Sequence, residues 1–137
     1  PELHFHIAAI TEMSAKLLVV GAYDNVTMYP GVKMQILDEL FEKCDFYLDI
    51  NHENEIVSAV SRAFLQNQLI LGFRETLHNK DYIAEDHIYA EAEPEKLIAD
   101  LRKFALEEDG PEQELEKQRK AALAETAESY YNVIDAL

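Results

Sequence analysis

Two polar stretches of this chain hold the side chains best suited to grip a ligand: Asn51-His52-Glu53-Asn54-Glu55 and Arg74-Glu75-Thr76-Leu77-His78-Asn79. Amides, imidazoles, hydroxyls and carboxylates donate to and accept from sugar hydroxyls and phosphate oxygens. A helix N-terminus beside them adds backbone donors suited to a diphosphate. Two smaller groups, Thr11-Glu12 and Tyr29-Pro30-Gly31, fall at equivalent points of the chain. The candidate ligand-binding residues are Thr11, Glu12, Asn51, His52, Asn54, Glu55, Thr76, His78 and Asn79. The same residue types serve as caps and turn formers, so position more than type singles them out.

Other chemistries find no support. His4 and His6 share one strand face but have no third ligand for a metal, and read as structural or surface histidines. Asp49-x-Asn51-x-Glu53 resembles the start of a calcium loop, yet Asn54 stands where glycine is required and Val60 where the closing glutamate should be. Neither G-x-G-x-x-G, G-x-x-x-x-G-K nor G-x-S-x-G occurs, which disfavours a dinucleotide fingerprint, a P-loop and a hydrolase elbow. Cys44 lies among apolar residues at a helix end and reads as packing. No catalytic residue and no metal ligand is assigned.

The elements that must position these loops alternate. His4 to Ile10, Asn25 to Tyr29, Phe46 to Ile50 and Leu69 to Phe73 read as strands, with Asp86 to Tyr89 as a last short one. Between them run helical stripes: Met13, Leu17 and Leu18, with Thr11 as N-cap; Ile36, Leu37, Leu40 and Phe41; and Ile56, Val60, Ala63 and Phe64 within Asn54 to Asn67. Pro94 opens a further helix with Leu97, Ile98, Leu101, Phe104 and Ala105 on its stripe, and Gly110-Pro111 closes it. Alternation of this kind implies parallel strands with right-handed crossovers, an α/β fold with a Rossmann-like doubly wound sheet. Ligands of such sheets sit beyond the carboxyl ends of the strands, where the polar loops lie. Residues 1–110 are read as this domain and 111–137 as a C-terminal helix.

Composition narrows the partners. The 137 residues suit one core, and 48% hydrophobic with 28% charged residues is ordinary for a globular chain. Twelve basic against 27 acidic side chains give a net charge of −15, which repels a phosphate backbone and argues against nucleic acid. The longest apolar runs, such as Leu17 to Val20, are too short to span a bilayer. Nothing reads as a signal peptide, and the single cysteine forms no internal disulfide, so a cytoplasmic setting is expected.

Three blocks carry a family likeness: Phe5 to Ser14 (FHIAAITEMS), Cys44 to His52 (CDFYLDINH), and Leu69 to Phe73 with Thr76 to Asn79 (LILGF and TLHN). From about residue 4 to residue 90 the chain resembles the glycosyltransferase-stabilising subunits of the accessory Sec system of Gram-positive bacteria. The tail from Glu91 is less distinctive. The resemblance implies the C-terminal domain of a GT-B glycosyltransferase-like protein. It also implies a catalytic glycosyltransferase subunit as partner, a serine-rich-repeat adhesin as acceptor, and a cytoplasmic place, at most peripheral to the membrane through a partner. The family domain has a strand and helix before the segment matching His4, so the resemblance implies a sheet edge open to self-association.

Active relatives of this type carry two glutamates, for donor sugar and ribose, at positions that fall on Asn54 and Arg62 here. Glu53 and Glu55 lie near the first position, but no acid replaces the second, and a cation cannot accept the ribose hydroxyl protons. The resemblance thus implies a stabilising or acceptor-binding subunit without a cofactor. The alternative is the donor half of an active transferase, binding a UDP-sugar through Asn51, His52, Glu55, Thr76 and His78. A receiver domain, with Asp49 as phosphoacceptor, would need an acidic pair after the first strand and a lysine after the last. Ile10-Thr11 and Phe73-Arg74 supply neither. The final helix either crosses back to an N-terminal domain, as in GT-B proteins, or packs on its own sheet through Tyr130, Val133, Ile134 and Leu137.

Overall fold

Short apolar runs and amphipathic stretches resolve, in a computed structural model, into parallel strands alternating with helices. The structure describes residues 3–53, 55, 58–106 and 110–123. The chain forms two compact units, the first ending at Cys44 and the second beginning at Asp45.

In the first unit, β1 (Phe5–Ala8) pairs in parallel with β2 (Val26–Tyr29), Phe5 opposite Val26 and Ala8 opposite Tyr29. Helix α1 (Ala15–Leu18) is a single turn whose N-cap is Ser14, accepting from the Leu17 amide at 3.1 Å. The cap expected at Thr11 therefore falls later in the chain. A hydroxyl can satisfy a free amide only where it stands directly before the first helical turn. Helix α2 (Met34–Lys43) buries Leu37, Leu40 and Phe41, whereas Ile36 is exposed. His4 Nε2 lies 2.6 Å from the Thr27 hydroxyl and His6 Nδ1 3.0 Å from the Tyr29 hydroxyl, so both histidines tie the two strands together. The Pro30-Gly31 turn relies on a positive φ of 56° at Gly31, and its amide reaches the Thr11 carbonyl.

The second unit is built on a three-stranded parallel sheet, β3 (Phe46–Asp49), β4 (Leu69–Phe73) and β5 (Ile88–Tyr89), with β4 in the middle. Leu69, Ile70 and Leu71 are fully buried, as a central strand covered on both faces requires. Helix α3 (Ala59–Leu65) supplies Val60 and Ala63 to this core, and α4 (Pro94–Leu106) supplies Leu97, Leu101 and Phe104. Ile98, expected on the α4 stripe, is exposed instead. Helix α3 is shorter than the Asn54 to Asn67 stretch suggested. Ser58 takes a left-handed φ of 58° immediately before it, and Asn67 ends it with the same sign. There the Gln68 amide returns to the Ala63 carbonyl at 3.0 Å, a left-handed helix stop. Residues 54, 56 and 57, including the stripe position Ile56, lie outside the described residues.

Residues 112–123 are helical, and Leu115 and Gln118 on this stretch are buried. The Leu69 amide donates to Asp45 on the β3 side, so the Ile70 amide faces the opposite side. β5 reaches only Gly72 and Phe73 there. The Gln118 side chain fills the gap as a strand peptide would: its oxygen accepts from the Ile70 amide at 2.8 Å and its nitrogen donates to the Gln68 carbonyl at 2.9 Å. His87, fully buried, lies 2.8 Å from Glu114 on the same stretch and edge-on to Phe104. Thus residues 112–123 pack on the second unit, while Tyr130, Val133, Ile134 and Leu137 lie outside the described residues.

Candidate functional site at the strand ends

The loops after β3 and β4 meet around one carboxylate. Asp49 is the last residue of β3 and is 1% exposed. It stands opposite Gly72 of β4, where a Cβ would come within 2.8 Å of the Asp49 carbonyl oxygen and 2.7 Å of the Leu77 side chain. Only glycine allows that approach. The Thr76 hydroxyl, itself buried, donates to the Asp49 carbonyl at 2.8 Å. The Asp49 carboxylate accepts from the His78 backbone amide at 2.8 Å and lies 2.5 Å from His78 Nδ1. His78 Nε2 in turn lies 2.5 Å from the Glu53 carbonyl oxygen. Asp49 and His78 thereby join the loop after β3 to the loop after β4.

Electrostatics follow from that arrangement. Burial alone would lower the His78 pKa. Its hydrogen bonds to Asp49 and the Glu53 carbonyl, with the negative field of Asp49 and Glu55, outweigh burial and raise it. Tyr47, on the same strand as Asp49, is pushed strongly upward by burial and by the charges of Asp49 and Glu55.

The remaining candidates fall as follows. Glu55 accepts from the Val60 amide at 3.3 Å, satisfying an otherwise free donor of the α3 N-terminus. The Asn79 side chain accepts from the Asp81 amide at 3.1 Å and caps the 3₁₀ turn Lys80–Tyr82. His52 is exposed and lies 2.5 Å from Glu91, whose amide donates to Glu75 at 2.9 Å. Asn51 is exposed beside it. Asn54 lies outside the described residues. Thr11 and Glu12 are exposed in the first unit. The structure therefore brings Thr76 and His78 together on Asp49, and sets His52 on the loop whose Glu53 carbonyl His78 holds.

Asp49, weighed only as a calcium ligand or a phosphoacceptor, and Glu75 and Glu91 stood outside the candidate set, yet all three hold these loops. A signal for Asp49 was present: it is an acid closing an otherwise apolar strand, and such a carboxylate needs a partner if buried. No group of three or more metal-ligating side chains occurs among the described residues.

Polar loops at the carboxyl ends of parallel strands are where α/β folds of this kind build their ligand sites. Residues 1–118 match the GftB/GlyA-F C-terminal domain, and the chain belongs to that family.

Within the family it is 44% identical over 122 residues to the UDP-N-acetylglucosamine–peptide N-acetylglucosaminyltransferase stabilizing protein GtfB of Streptococcus pneumoniae serotype 4, covering 89% of this chain and 27% of that protein. It is 32% identical over 105 residues to the glycosyltransferase GlyE of the same organism, covering 76% of this chain and 26% of GlyE. A crystal structure of a GtfA/B complex bound to UDP and GlcNAc superposes with a TM-score of 0.81 at 40% identity, over 89% of this chain and 27% of that one. GlyE itself superposes at 0.64 and 30% identity, over 73% of this chain and 25% of its own. The chain thus spans about a quarter of the length of these relatives.

Proposed function

We propose that this chain is the C-terminal, Rossmann-like domain of a glycosyltransferase-stabilising subunit that does not itself transfer sugar. In this reading it pairs with a catalytic N-acetylglucosaminyltransferase and helps hold a serine-rich-repeat adhesin during its O-glycosylation in the cytoplasm. The observation that carries the reading is its likeness to stabilising proteins, at 44% identity over 89% of the chain and 39% over all of it, against 32% over 76% for GlyE.

The site geometry supports it. Of the candidate donor-binding groups, Thr76, His78 and Asn79 bond within the strand-end loops and Glu55 caps α3. A nucleotide-sugar would have to displace existing bonds to use the His78 ring, both of whose nitrogens are engaged. By the family likeness, Arg62, on α3, falls at the position of a ribose-binding glutamate, and a guanidinium offers donors only.

The second reading, the donor domain of an active GT-B transferase, draws on the likeness to GlyE. Calorimetric titration of UDP and UDP-N-acetylglucosamine into the full-length protein, with an Arg62→Glu variant alongside, separates the two. No binding by the parent, with binding gained in the variant, is the expected result. Saturable micromolar binding by the parent would overturn the stabilising reading and make Asn51, His52, Glu55, Thr76 and His78 a donor site.

A further inference from the structure

His78 has hydrogen-bond acceptors at both ring nitrogens: a carboxylate oxygen of Asp49 at Nδ1 and the Glu53 carbonyl at Nε2, each at 2.5 Å. A neutral imidazole has one N–H and can serve only one of them. The carbonyl of Glu53 has no proton to give. The other oxygen of Asp49 accepts the His78 backbone amide at 2.8 Å, so one residue presents donors to both carboxylate oxygens, an arrangement that suits a charged carboxylate. We propose that His78 works as a doubly protonated bridge, an imidazolium that pins the loop after β3 to Asp49 and lets that loop go when it loses a proton.

The surroundings favour this state. Asp49 is 1% exposed and β4 meets it with Gly72, so its charge has no room to be relieved by solvent on that side. The charged groups acting on the ring are Asp49 from β3 and Glu55 from the loop after it, both negative. Thr76, from the ring's own loop, fixes the Asp49 main chain and contributes no charge. An imidazolium between two acceptors makes two charge-assisted hydrogen bonds, which are shorter and stronger than neutral ones. The loop it pins carries Asn51 and His52, both exposed, with His52 2.5 Å from Glu91. The bridge is therefore a pH-dependent fastener of a polar surface at the strand ends, independent of what that surface binds.

The sign follows from the raised pKa. Fastening is complete below the ordinary histidine pKa of 6.5 and is lost as the pH rises through the higher folded value.

The test is nitrogen-15 NMR of histidine-labelled full chain, which carries five histidines, together with amide exchange across residues 51–53. His78 is expected to show two protonated ring nitrogens at pH 6.5 and to titrate above that. Exchange at 51–53, corrected for its intrinsic pH dependence, should rise by about tenfold or more through the same titration, the loss expected for a charge-assisted bond. In His78→Gln and Asp49→Asn variants that step should vanish. A single-tautomer neutral His78 at pH 6.5 in the parent chain would overturn the proposal, even should both variants fail to fold. So would exchange at 51–53 that is indifferent to the His78 titration.

Discussion

Replacing Gln118 by methionine keeps the length and flexibility of the side chain and removes its amide. In the structure that amide is 1% exposed and serves two backbone groups of the central strand region, the Ile70 N–H and the Gln68 carbonyl. Both lie in the core, Ile70 fully buried and Gln68 at 2%, so water cannot replace the lost partner. Stripping a buried backbone group of its bond costs about 1–3 kcal/mol, so Gln118→Met should destabilise the protein by about 2–5 kcal/mol. Better burial of an apolar side chain offsets only part of that. Against a typical total of about 5–15 kcal/mol this is a large loss. Urea unfolding followed by far-UV circular dichroism should show a lower midpoint with an unchanged slope. Amide exchange at Ile70 should accelerate more than at Leu69, whose amide keeps its Asp45 partner. Arg119→Ala, which removes exposed contacts at 3.3 Å to Asn67 and 3.4 Å to Glu116, is the control and should cost less than about 1 kcal/mol. Stability of Gln118→Met within about 0.5 kcal/mol of the parent would refute the view that this side chain stands in for a strand peptide.

Two further outcomes follow from the same contacts. Gly72→Ala should destabilise by about 1–3 kcal/mol, because the added methyl meets the Asp49 main chain at 2.8 Å. It should also shift the His78 ring resonances, and an unshifted ring would mean that the approach of β4 does not set the Asp49 geometry. For Glu114, burial alone would raise the pKa, but hydrogen bonds from His87 and Lys117 hold it below the ordinary 4.5. Its contribution is present above that value and lost as the pH falls through the lower folded value, so Glu114→Gln should flatten the acid limb of a stability–pH curve. An acid limb identical in parent and variant would count against the pairing with buried His87.

Much of this molecule follows from residue order alone. The alternation of runs such as Phe46 to Asp49 and Leu69 to Phe73 with stripes such as Leu97, Leu101 and Phe104 is enough to give parallel strands and helices. Burial of apolar side chains is set largely by spacing along the chain. The loops Asn51 to Glu55 and Arg74 to Asn79 were legible for the same reason, since strand ends in such folds lead into polar turns. Caps and stripe edges were less so: Ser14 rather than Thr11 caps α1, and Ile36 and Ile98 face outward, because which of two adequate residues is used depends on where the helix is placed against its neighbours.

What the candidate residues do was decided only by tertiary structure. Residue type made Glu55, Thr76, His78 and Asn79 equally good ligand groups. The fold spends Glu55 on the α3 N-terminus, Asn79 on a 3₁₀ turn, and Thr76 with His78 on Asp49, a residue 27 and 29 positions away. No periodicity encodes contacts at that separation. They arise because β3 and β4 lie side by side in register, Asp49 against Gly72, and a buried carboxylate there must be hydrogen-bonded. The sequence determined which elements form and where their polar loops fall, while the pairing of those elements determined which polar groups bond to one another there.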